Sequence, residues 1–147
     1  VAADILTGKV VVLREGPVAA AVRASCSVPG IFTPVVQGER LLVDGGLLNN
    51  LPVSAAREMG ADYVIAVNLL PPVQCSRPPQ HLVEMWLLAY HNVALLAHSE
   101  RSDANCLITP DIAHLGIVEF SHAPEFFAKL RFLLVQHFTR LRQDLRL

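Results

Sequence analysis

The sequence predicts an α/β domain, and three observations predict it. Short runs rich in β-branched residues alternate with helical segments, the pattern of a sheet covered by helices. An apolar fraction of 52% over 147 residues is enough for one hydrophobic core. No internal repeat or shift in composition divides the chain, so a single unit is expected.

Val1–Ala3 and Lys9–Leu13 read as strands joined through a Thr7-Gly8 turn. "GPVAAAVRASCSVPG" predicts a helix of small residues from about Pro17, stopped before Pro29-Gly30. Val35–Val36 and Leu41–Val43 flank "QGER", a hairpin with Gly38 in its turn. After "DGG" comes the short loop "LLNN", then a helix from Pro52 that Gly60 can end. Asp62 to Leu70, "DYVIAVNLL", is a continuous apolar run and reads as a strand covered on both faces. The prolines of "PPVQCSRPPQ" make it a loop.

Leu82 to Ala97 is helical and apolar nearly all round. Burial of Leu82, Met85, Trp86, Val93 and Leu96 between other elements is expected, with a lipid-facing lid as the alternative. "NCLITPDI" is a further short strand. Ala123 to Leu145 carries Phe127, Leu130, Leu134, Phe138, Leu141 and Leu145 at steps of three and four, an amphipathic stripe. Ser121 is the candidate N-cap of that helix. Arg140, Arg142 and Arg146 near its end fit a solvated face favoured by the helix dipole.

A net charge of −1 and no basic stripe interleaved with aromatics exclude nucleic acid as a partner. Cys26, Cys75 and Cys106 form no C-x-x-C pair, which predicts reduced thiols and a cytoplasmic setting, with Cys26 packed among small residues. The longest uncharged stretch, Met85 to Ser99, is too short to span a bilayer. A soluble chain is therefore the expectation, with peripheral contact at a membrane surface left open. The six histidines offer no zinc spacing, and no metal or cofactor is expected. "VAADILTG" has no initiator Met and no leader pattern, and reads as starting inside a domain.

The stretch "LLVDGGLLNNLPV" holds the chemistry. Asp44 ends an apolar run, and two glycines follow it. Read as a calcium loop, positions three, five and twelve would be Gly46, Leu48 and Ala55, which lack ligand oxygens. A phosphate loop also fails, because Gly8-Lys9 is followed by Val10. Two readings stay open from the residues alone. Asp44 is either the corner of a turn or a carboxylate base at the end of a strand, where it could deprotonate a hydroxyl nucleophile.

The segments "AADILTG", "REGPVAAAVRASCSVPGIFTPV" and "GERLLVDGGLLNNLPVSAAREMGADYVIAVNL" follow one another in the order and spacing of the patatin-like phospholipases, and most resemble bacterial members. The resemblance is dense over residues 1–70 and loose over 71–147, so the chain reads as the C-terminal part of one such domain. It implies a three-layer α/β fold and hydrolysis of lipid or other acyl esters by a Ser–Asp dyad. Asp44 matches the family's Asp-Gly-Gly aspartate and is thereby assigned the role of base. Gly45 and Gly46 shape the turn behind it, and Asn49 and Asn50 hold the following loop by side-chain to backbone bonds.

The family carries its serine in G-x-S-x-G and its oxyanion donors in a glycine-rich loop, both N-terminal to this region. None of the seven serines here, Ser25 and Ser27 included, lies in that pentapeptide. The resemblance therefore implies that this chain supplies the Asp and not the Ser. Alone it is expected to be inactive and to self-associate, with the N-terminal half of the domain as its partner. A non-catalytic binding or regulatory module and a soluble esterase or thioesterase are the alternative functions.

Overall fold

A computed structural model describes residues 1–70, 77–97, 103–111 and 123–146. In chain order the elements are β1 (Ala2–Asp4), β2 (Lys9–Val11), α1 (Val18–Ser25), β3 (Val35–Gln37) and β4 (Arg40–Asp44). A 3₁₀ turn (Gly45–Leu47), α2 (Val53–Glu58), β5 (Ile65–Val67), α3 (Leu82–Leu96), β6 (Cys106–Ile108) and α4 (Ala123–Leu145) follow. The chain is thus mixed α/β. Ser121 and Cys75 lie outside the described residues, as does part of the proline loop.

Four strands form one sheet in the order β2-β1-β4-β3, antiparallel throughout. Gly8 and Gly38 adopt positive φ in the two hairpin turns, where a side chain would be strained. The small residues of α1 let it approach the sheet closely, and Ala24 packs with Ala2 and Leu42 in one buried cluster. A second cluster, Leu51, Val53, Val64 and Ala66, lies where α2 meets β5.

β5 and β6 pair in parallel, with Ala66 opposite Leu107. Arg57 on α2 ties their ends together. Its guanidinium donates to the carbonyls of Ala61 (3.0 Å) and Asp62 (2.6 Å) and to Oδ1 of Asn105. That same Asn105 oxygen accepts from the Val64 N–H at 2.9 Å.

Three expectations need correction. The run around β5 is not covered on both faces: Ala66 and Val64 are buried, but Ile65 is 45% exposed. A strand in a two-stranded described sheet has only one face to pack, so burial alternates. Cys26 is exposed rather than packed, because it stands at the C-terminal cap of α1. The third concerns α3, which buries only Tyr90, His91 and Ala94. Leu82, Val83, Met85 and Leu96 are exposed, and Trp86 is 39% exposed. Among the described residues, no element covers that side of the helix. The α4 stripe is likewise open at Phe127, Leu134 and Phe138.

Candidate active site

Asp44 stands at the carboxyl end of β4, in register with Ala2 of β1. Its backbone N–H donates to the Ser27 carbonyl at 2.9 Å, which ties the strand end to the segment after α1. The chain then bends at once. Oδ1 of Asp44 accepts from the Gly46 N–H at 2.7 Å and so caps the 3₁₀ turn. The Leu48 and Asn49 N–H groups close that turn on the Gly45 carbonyl, at 3.1 and 2.9 Å.

The two glycines are present for space and not for unusual dihedrals. Neither is among the positive-φ glycines of the described residues. A Cβ on Gly45 would lie 2.6 Å from the Val1 carbonyl oxygen. A Cβ on Gly46 would lie 2.9 Å from both Asp44 Oδ1 and Asn50 Oδ1, and 3.2 Å from the Tyr90 hydroxyl. Three polar groups from β4, the following loop and α3 therefore converge over one backbone position. The structure thus brings Asp44, Gly45, Gly46 and Asn50 together, with Asn49 holding the turn through its backbone.

Tyr90 is the residue that the sequence reading missed. It is 8% exposed, and its hydroxyl hydrogen-bonds the Asp44 carboxylate. Burial, reinforced by the Asp44 charge and that hydrogen bond, pushes the phenol well above its usual range. It stays protonated at any working pH and donates to the carboxylate. A legible signal existed: a tyrosine in a helix otherwise apolar all round needs a partner for its hydroxyl. One turn earlier, the Trp86 indole N–H donates to the Pro29 carbonyl at 2.7 Å, and the two rings lie 6.4 Å apart.

The serines nearest in sequence point elsewhere. Ser25 Oγ donates to the Val1 carbonyl and Ser27 Oγ to the Arg23 carbonyl, each at 2.7 Å. Ser27 is also buried. Each hydroxyl proton is already committed to a backbone acceptor. Among the described residues, no ion pair engages Asp44, and no three His, Cys, Asp or Glu side chains gather where they could hold a metal ion.

The class so defined is a mixed α/β protein that presents an aspartate at a strand end, held by a backbone N–H and a phenol and, among the described residues, in no ion pair. The sequence profile described as patatin-like phospholipase matches residues 4–57, which include Asp44 and the whole glycine turn. Through those residues the chain belongs to the patatin-like phospholipase family.

Its relatives agree. An uncharacterized NTE family protein of Mycobacterium bovis is 36% identical over 147 aligned residues, covering 82% of this chain and 25% of that protein. A second NTE family protein, from Mycobacterium tuberculosis, is 46% identical over 69 residues, or 47% of this chain and 19% of its own length. Lysophospholipase NTE1 of Debaryomyces hansenii is 46% identical over 48 residues, 33% of this chain and 3% of that protein. The chain spans about a quarter or less of the length of these relatives.

Proposed function

We propose that this chain carries the base of a lipid acyl hydrolase that works by a Ser–Asp dyad, with Asp44 as the base. The serine, on a G-x-S-x-G turn, and the oxyanion donors would come from the N-terminal half of the same three-layer domain. The observation that carries the reading is the carboxylate of Asp44 at the end of β4, held by two donors and, among the described residues, in no ion pair. A carboxylate has about four acceptor sites. The Gly46 N–H and the Tyr90 hydroxyl use part of that capacity, and the rest can accept a serine proton.

In the proposed cycle Asp44 takes the serine proton as Oγ bonds to the acyl carbon. It returns the proton to the alcohol oxygen as that ester bond breaks. A water molecule then repeats the sequence on the acyl-serine, giving its proton to Asp44 and releasing the fatty acid. No cofactor enters these steps.

The exposed apolar side of α3, beside the residue that holds Asp44, supports a substrate with acyl chains and contact at a membrane surface over a small soluble ester. Faster turnover of phospholipid vesicles than of dispersed monomeric esters is the matching result. In the complete protein, Asp44→Asn should lower kcat by about 10²–10⁴, because the amide keeps the shape but cannot take the proton. The mutant should fold, since no core side chain changes. A folded Asp44→Asn protein that keeps turnover within a few-fold would remove Asp44 from the mechanism.

A further inference from the structure

We infer that Tyr90 is the positioning residue of the Asp44 carboxylate, holding it by a hydroxyl hydrogen bond delivered from α3; this rests on Asp44 being the base.

Three observations place Tyr90 there. First, its hydroxyl lies over Gly46 together with Asp44 Oδ1, in space that even one methyl group would fill. Second, the hydroxyl is bonded to that carboxylate and is almost wholly shielded from water. A hydrogen bond to a charged acceptor in such a setting is strong and directional. Third, α3 is pinned so that Tyr90 cannot drift. Trp86, four residues earlier and on the same side, donates its indole N–H to the Pro29 carbonyl. Gly30 is close behind, and a Cβ there would lie 2.9 Å from the Trp86 Nε1 atom. The segment after α1 thus grips α3 at Trp86, and α3 grips the base at Tyr90.

A backbone N–H alone fixes one oxygen of a carboxylate and leaves the group free to swing about it. A second donor from another element removes that freedom. Tyr90 therefore restrains the carboxylate that must meet a hydroxyl within hydrogen-bond reach. The other ionisable side chains on the elements packed here are Asp4 on β1, Arg23 on α1, Arg40 on β4, and Glu84 and His91 on α3. Asp44 is the one whose charge is felt at the Tyr90 phenol.

The test has one arm that needs no turnover. In the complete protein, the phenolate absorbance that Tyr90→Phe removes belongs to Tyr90, whatever other tyrosines are present. Adding Asp44→Asn should let Tyr90 ionise at lower pH, while burial keeps it above an ordinary tyrosine. An unchanged titration overturns the contact, whatever the enzyme does. In the complete protein, Tyr90→Phe should lower kcat by about 10–10²-fold with KM nearly unchanged. Equal kcat, or a loss expressed in KM alone, in a folded Tyr90→Phe protein would overturn the positioning role. Retention of turnover by Asp44→Asn would instead overturn the dyad and leave the spectroscopic result standing.

Discussion

Gly45→Ala is the sharpest structural test of the turn behind the carboxylate. The added Cβ would fall 2.6 Å from the Val1 carbonyl oxygen and 2.9 Å from its carbon. Both are backbone atoms leading into β1, which is paired on both sides within its sheet. Ordinary van der Waals distance requires a retreat of roughly 0.8 Å. Overpacking of this kind costs about 1–3 kcal/mol. The Val1 carbonyl also accepts the Ser25 hydroxyl, and losing that bond adds about 0.5–1.5 kcal/mol. Reduced freedom of the unfolded chain returns about 0.4–1 kcal/mol to the alanine variant. The net loss should be about 0.5–4 kcal/mol, or a fall in Tm of roughly 2–12 °C. Urea denaturation followed by circular dichroism measures it. Ser25→Ala should reduce the penalty when combined with Gly45→Ala, since both act through one carbonyl. A Gly45→Ala protein as stable as the parent would refute the close approach as the reason for glycine here.

Two further outcomes follow from the described geometry. Asp4 is buried, and the Thr7 hydroxyl bond at 2.7 Å, helped by the Leu41 and Leu6 N–H groups, holds its carboxyl below the usual range. Its folded value is depressed, so its contribution is complete above about pH 4 and lost as pH falls further; Thr7→Val should lower the urea midpoint at neutral pH and make its acid decline shallower. Trp86, the single tryptophan, should be readily quenched by acrylamide in solution and shielded when phospholipid vesicles are added. Quenching unaffected by lipid would reject contact between α3 and a membrane surface.

Local order was the most legible part of this chain. Each hairpin, each helix start near a proline and the strand-ending position of Asp44 depend on neighbours a few residues away, and the observed elements follow them within a residue or two. The reason for Gly45 and Gly46 was half legible: the pattern indicated special backbone, but only the fold shows that Val1 and Tyr90 occupy the space. Tyr90 lies 46 residues beyond Asp44, and no spacing rule connects them. The exposure of α3 was misread because an apolar helix is usually buried, and periodicity says nothing about what lies opposite. Antiparallel order in the larger sheet was similarly hidden, since β1 meets β4 across a helix and a hairpin.

The two buried clusters described above do not share a residue. Ala2, Ala24 and Leu42 belong to one, Leu51, Val53, Val64 and Ala66 to the other, and residues 45–50 form the bridge between them. Asp44 therefore sits at a seam. Cooperative units of a protein can open separately, at less cost than global unfolding. Opening at this seam works against the few bonds made by Asp44, Tyr90 and Trp86. Those bonds, rather than the packing of either cluster, set how firmly the carboxylate is aimed.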